Sequence, residues 1–223
     1  MTGIRLNIAC GPNVFPNWIN IDKVDMSEYI EFLRRGPTVG MPPEQKRLAE
    51  RVRASPTEFV QRDIRKGIPY GDGTVDLIVA GQFIEHLNPM YEAPSFVREC
   101  RRVLKPGGIV RISTPDFGLI LDRFREGDLL EFAHEQPEAY RTAKSEWTRL
   151  GYILFGSLGP CSTSENYEGH QMAYSEASIL ELLQYAGFAD ITFWRPGRSQ
   201  SPVIEVECVD TGVSHSLFAE ATK

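Results

Sequence analysis

The run Leu6-Asn7-Ile8-Ala9-Cys10-Gly11-Pro12-Asn13 carries an apolar segment into a tight turn, and Asp22 stands eleven residues after Gly11, at the end of Trp18-Ile19-Asn20-Ile21-Asp22. A small residue and a glycine let backbone N–H groups approach a ligand closely, and a carboxylate offers two oxygens to a pair of hydroxyls. One strand ending in a glycine turn beside another ending in an acid is how α/β proteins hold a nucleoside. The expected ligand is therefore an adenosine-type cofactor. His86 and His170 are the second set of residues able to do chemistry, because imidazole changes charge near neutral pH. His86 follows an apolar strand, and His170 follows a glycine-rich run and precedes Met172-Ala173-Tyr174. A capping role for His86 and a packing role for His170 stand as the alternatives.

These residues need strands to position them. Residues 4–9 and 18–22 read as the first two, joined by Pro12-Asn13-Val14-Phe15-Pro16-Asn17, which holds two prolines and too few residues for a crossover helix. Residues 24–57 turn helical, with Ser27 as a cap for 28–35 and a second helix over 44–53 after Pro37, Pro42 and Pro43. Further strands are expected at 58–63, 75–80, 109–113, 191–194 and 216–221. A helix from about Asn88 to Pro106 presents Phe96, Val97, Cys100, Val103 and Leu104 on one face. Another runs from a Ser175 cap to Gly187 with Ile179, Leu182, Leu183 and Ala186 inward. This alternation predicts a parallel sheet covered on both faces, with right-handed crossovers. The last two strands, joined by a loop without a helix, should form an antiparallel pair at an edge. Residues 117–170, with Phe117, Phe124, Phe132, Tyr140, Trp147, Tyr152, Phe155 and the run Gly156–Gly169, stand outside the alternation. They are expected to overhang the crevice or to pack as a helical pair of their own. Asp116 is expected to cap the helix starting at Phe117, and His134 and His215 to lie on the surface.

Composition narrows the function classes. With 223 residues, 42% hydrophobic and 24% charged, one domain with insertions is expected, and no apolar run reaches the roughly 18 residues of a membrane span. The start Met-Thr-Gly-Ile-Arg lacks the pattern of a secretory signal, so a cytoplasmic location is expected, with Cys10, Cys100, Cys161 and Cys208 as free thiols. A net charge of −6 argues against a broad phosphate-binding face and hence against a nucleic-acid partner. The basic clusters Lys46-Arg47, Arg51–Arg53 and Arg101-Arg102 read as solvated helix faces.

Four stretches in order, the first-strand loop, Ile68-Pro69-Tyr70-Gly71-Asp72-Gly73-Thr74-Val75-Asp76-Leu77-Ile78, Glu85-His86-Leu87 and Arg102-Val103-Leu104-Lys105-Pro106-Gly107-Gly108, resemble class I S-adenosylmethionine-dependent methyltransferases of the type-11-like, small-molecule group. The resemblance covers about residues 4–116 and 170–195. It implies a Rossmann-like, seven-stranded, mostly parallel sheet with one antiparallel edge strand, helices on both faces and helical lid insertions at about 24–57 and 117–170, all in one domain over 1–223. It also implies S-adenosyl-L-methionine as cofactor and S-adenosyl-L-homocysteine as product. By the same resemblance Asn7, Ala9, Cys10, Gly11 and Asn13 wrap the methionine part, and Asp22 accepts the ribose hydroxyls. Asp63 accepts the adenine amino group with Ile64 over the ring, and Gly81 and Gln82 pass beneath the sulfonium. His86 and His170 would orient or deprotonate the acceptor.

Two departures matter. Ala9 and Asn13 stand where the family has glycines, and Lys23 beside Asp22 is the candidate to compensate at the methionine carboxylate. Ala80-Gly81-Gln82-Phe83 replaces the Asn-Pro-Pro-aromatic signature of the nucleic-acid branches. The expected acceptor is an O or N atom of a sugar, amino-sugar or other natural-product intermediate, on a monomer or homodimer with no metal. Two alternatives remain: a non-catalytic partner subunit that keeps the fold, and an NAD-dependent oxidoreductase, whose phosphate-binding helix would have to begin at Pro12–Pro16.

Overall fold

Strand β1 (Ile4–Ile8) lies inside a seven-stranded sheet with β2 (Ile19–Asp22) and β3 (Glu58–Gln61) on one side and β4 (Val75–Gly81) and β5 (Leu104–Pro115) on the other. Beyond β5 come β7 (Ser216–Thr222) and β6 (Asp190–Trp194), giving the order β3-β2-β1-β4-β5-β7-β6. The computed structural model of the chain describes residues 3–130, 138–155, 169–207 and 215–223. Phe132, His134, Cys161, Cys208 and most of the run from Gly156 to Gly169 lie outside the described residues.

The first five strands in this order are mutually parallel, and β7 is antiparallel to both neighbours. The expected antiparallel pair is present at the edge, with β7 second from the rim and β6 outermost. The chain leaves β1 toward β2 and β3 and then returns to β4 on the opposite side. The β1/β4 boundary is thus the point where strand order reverses, and ligands of open α/β sheets bind there, outside the carboxyl ends of the strands.

The central strands are buried on both faces. Leu6, Ile8, Ile78, Ala80, Val110 and Ile112 share one core with Phe96, Val97 and Cys100 of α3 (Glu92–Val103) and with Ile179 and Leu183 of α7 (Glu176–Tyr185). Ser175 closes a capping box with Ser178 at the start of α7, and Gly187, with φ of +90°, ends that turn. Helix α1 (Ser27–Arg35) begins one residue earlier than expected and has no side-chain cap. It packs against α2 (Pro43–Ala54), and the pair buries Ile30, Leu33, Ala49 and Val52 against Cys10 and Val14 of the first loop.

Asp116 caps α4 (Phe117–Glu126) by accepting from the Gly118 and Leu119 N–H groups. With α5 (Glu138–Thr142) and α6 (Glu146–Phe155), this helix encloses a separate small core of Ile120, Leu129, Tyr140, Leu150 and Ile153. Trp147 and Phe155 remain exposed.

Two expectations are corrected. A six-residue helix, α8 (Pro202–Glu207), lies between β6 and β7, started by a proline whose fixed φ suits a first helical position. Its last residue is anchored by distant parts of the chain: Glu207 accepts from Arg5 and from the Trp18 indole N–H, and its carbonyl accepts from Arg51. His215 is half-buried rather than a surface residue, and burial lowers its pKa.

Candidate active site

The first loop is built by two left-handed residues. Ala9 has φ of +52° and Gly11 +47°, so the chain turns sharply past β1. Ala9 pays a left-handed cost of about 1 kcal/mol that glycine would avoid, and such strain concentrates at ligand sites. The Cys10 N–H donates to the Ile21 carbonyl at 3.2 Å, and the Gly11 N–H to Asp22 Oδ2 at 2.8 Å. Asp22 Oδ1 accepts from the Val24 N–H at 2.9 Å. One backbone donor sits on each carboxylate oxygen, which leaves each a further lone-pair direction for a hydroxyl. A Cβ at Gly11 would meet no protein atom within 4 Å, so the space above the loop is open to a ligand.

Asn20, buried between the strands, holds the loop and was not singled out from the sequence. Its Oδ1 accepts from the Phe15 N–H and from Asn7 Nδ2, while its Nδ2 donates to the carbonyls of Phe15, Trp18 and Glu58. The signal was present: Asn7 and Asn20 are amides set inside otherwise apolar strands and aligned across them. Asn20→Ala should cost about 2–3 kcal/mol, because several buried groups lose their partner at once. Urea unfolding would read that loss.

Asn7 therefore supports the site from beneath, since its Nδ2 bonds Asn13 O and Asn20 Oδ1. The Cys10 side chain faces the α1/α2 core, where burial pushes its thiol up to about 12, so only its backbone faces the loop. Asn13 is exposed and donates its N–H to the Cys10 carbonyl. Lys23 is exposed beside Asp22.

Asp63 is paired with Arg65. Its carboxylate takes three donors from Arg65, whose hydrogen bonds hold its pKa below the usual carboxylate value, and it caps the 3-10 turn at Ile64–Lys66. Its Oδ2, with one donor, keeps a further lone-pair direction, while Oδ1 takes two. Ile64 is packed in the main core.

On the other side of the reversal point, β4 ends at Gly81, and Gln82 takes φ of +53°. Its amide Nε2 donates to Ser216 Oγ at 3.1 Å, on β7. Three non-glycine residues among those described have positive φ, and two of them, Ala9 and Gln82, stand just past the ends of the paired strands β1 and β4. Next comes a 3-10 turn at Ile84–His86. The segment holding His170 docks onto it through Gln171 N–H to the Glu85 carbonyl at 2.7 Å and Gln171 Nε2 to the His86 carbonyl at 3.1 Å. The two imidazole rings lie edge to face with centroids 5.0 Å apart. His170 Nδ1 lies 3.1 Å from the Ile153 carbonyl, and burial lowers its pKa to about 4. A carbonyl only accepts, so Nδ1 carries the hydrogen and Nε2 presents a lone pair.

No helix occurs between β1 and β2, so the helix N-terminus that a dinucleotide pyrophosphate requires is missing from the first crossover. That geometry removes the oxidoreductase alternative. A strained glycine loop, a strand-end acid and an open crevice suit a nucleoside without a diphosphate, and residues 6–112 match the family model for a methyltransferase domain. The match spans just under half of the chain, and over that segment the chain is similar to methyltransferase domains.

The relatives agree. A probable S-adenosylmethionine-dependent methyltransferase of Mycolicibacterium smegmatis is 47% identical over 58 residues, which is 24% of this chain and 21% of that protein. One of Mycobacterium tuberculosis is 39% identical over 66 residues, 30% of this chain and 23% of that protein. The matches thus span under a quarter of these curated relatives' length. A SAM-dependent methyltransferase from Methanosarcina mazei superposes with a TM-score of 0.55 at 17% identity, over 98% of this chain and 91% of that one. One from Archaeoglobus fulgidus does so at 0.51 and 14%, over 100% and 87%. At those identities the likeness concerns the fold alone. S-adenosylmethionine is the cofactor for which these relatives are named. No helix among the described residues is long and apolar enough to cross a membrane.

Proposed function

We propose that the chain transfers a methyl group from S-adenosylmethionine to an O or N atom of a small molecule, such as a sugar, an amino-sugar or another natural-product intermediate. The observation that carries this reading is the meeting of two left-handed strand ends, at Ala9 and Gln82, beside the Asp22 carboxylate. The cofactor, when bound, supplies a methyl group on a positively charged sulfur.

The protein's task is then to align an acceptor and exclude water. Ala9, Cys10 and Gly11 offer backbone donors to the methionine part, Asp22 holds the ribose, and Gly81 with Gln82 forms the floor beneath the sulfur. Asn7 and Asn13 keep the loop in shape, Lys23 stands toward the methionine carboxylate, and Asp63 and Ile64 border the adenine end. His86 and His170 face the acceptor. His170 is neutral at ordinary pH and offers Nε2 as an acceptor, which suits it to orienting a hydroxyl or amine more than to retaining its proton. Helices α1 and α2, with α4, α5 and α6, form the substrate lid. The net charge of −6 favours a small acceptor over a nucleic acid.

Calorimetry and thermal melts with S-adenosylmethionine and S-adenosylhomocysteine test the cofactor reading, and methyl-label transfer into a metabolite extract tests activity. At ligand a hundredfold above Kd, stabilisation of about 2.7 kcal/mol is expected. A folded, monodisperse sample that gives neither heat nor a melting shift overturns the reading. Binding without label transfer would identify a non-catalytic subunit instead.

A further inference from the structure

We propose that Glu85, His86 and His170 form a site for one divalent transition-metal cation of the zinc, manganese or cobalt type. The three side chains each place one donor atom so that all three atoms lie within 4.8 Å of one another, although His170 is 84 residues from His86 in sequence. Metal–ligand distances of about 2.0–2.2 Å require donors somewhat closer, which small side-chain rotations supply. Two imidazole nitrogens and one carboxylate oxygen are the donor set of borderline divalent ions, and three protein ligands leave a position open.

The second observation concerns Glu85. Its side chain is 1% exposed, and its Oε2 has no hydrogen-bond partner. A buried carboxyl with an orphaned oxygen is costly, and a cation bound to it removes that cost.

The surroundings are also those of a ligand set. The Ile153 carbonyl fixes the His170 ring through Nδ1, leaving Nε2 to bind; metal-ligating histidines are oriented in this way by their other nitrogen. Gln171 clamps the His170 segment to the Glu85–His86 turn through two hydrogen bonds, so ligands from distant parts of the chain are already positioned. The site lies past the end of β4, at the acceptor side of the crevice. Its role, which rests on the methyl-transfer reading, is to hold the oxygen or nitrogen of the acceptor in the open position.

Chelator-stripped protein titrated with Co²⁺ tests the site without any methyl donor. The expected result is uptake of one equivalent, a visible d–d absorption without a thiolate charge-transfer band, and a raised melting temperature. His86→Asn, His170→Asn and Glu85→Gln should each weaken uptake by about a hundredfold, the upper end of what even an outer-shell change costs. Circular dichroism and S-adenosylhomocysteine titration on the same variants check that they fold. Absence of stoichiometric uptake by the unmodified protein overturns the proposal, as does uptake that persists in both histidine variants. Nucleoside binding without cobalt uptake overturns the metal site alone; cobalt uptake without nucleoside binding overturns the cofactor reading alone.

Discussion

Asp22→Ala is expected to weaken S-adenosylhomocysteine binding by at least about a hundredfold while leaving the protein folded. Each oxygen of Asp22 already accepts one backbone N–H, from Gly11 at 2.8 Å and from Val24 at 2.9 Å, and keeps one lone-pair direction for a ribose hydroxyl. Hydrogen bonds to a charged group contribute about 1.5–3 kcal/mol each, so losing two removes at least 3 kcal/mol, and every 1.4 kcal/mol is tenfold in Kd. The substitution also frees the Gly11 N–H from its anchor, loosening the loop that must approach the ligand. Isothermal titration of the variant beside the unmodified protein measures the effect. A change below threefold would show that Asp22 does not hold the ribose.

The largest loss of stability is expected at Glu220→Ala, about 3–5 kcal/mol. Arg111 on β5 and Glu220 on β7 are cross-strand partners, both almost wholly buried, with Nη1 and Oε1 2.8 Å apart. Arg111 also donates to the Arg198 carbonyl and lies over the Phe218 ring, its Cζ 4.9 Å from the centroid. Glu220 accepts in addition from Ser199 Oγ and the Gln200 N–H. Removing one member of such a pair leaves the other as an uncompensated buried charge, which costs far more than the pair contributes. In a chain of this size, the melting temperature should fall by about 10 °C or more. The double variant Arg111→Met/Glu220→Leu should recover most of the loss, because apolar replacements of similar volume remove both charges together. Equal destabilisation of the single and double variants in urea would contradict this account.

The two predictions draw on different parts of the information in the chain. The Asp22 site was legible because its parts are local: a glycine turn after an apolar strand, then an acid at the end of the next strand. The pairing of Ser175 with α7, the capping of α4 by Asp116 and the missing first crossover helix were legible for the same reason. Caps, turns and prolines act on residues a few positions away, and their backbone preferences are written in residue type.

Arg111 and Glu220 gave no comparable signal. Each is one charged residue in an apolar strand, 109 positions apart, and their union depends on β7 entering the sheet between β5 and β6. The anchoring of α8 by Arg5, Trp18 and Arg51 was hidden likewise, because these partners lie 156–202 residues away from Glu207 and meet it only through the sheet.

Residue order thus dictated the alternation of strands and helices, the strained corner after β1 and the acid beside it, since hydrophobic period and backbone sterics operate over a few residues. Packing alone brought His170 to Glu85 and His86, sealed Glu85 from water and seated Asn20 beneath the loop. Those arrangements depend on which distant surfaces the sheet brings into contact, and burial then sets the charge and hydrogen bonding of whatever is enclosed.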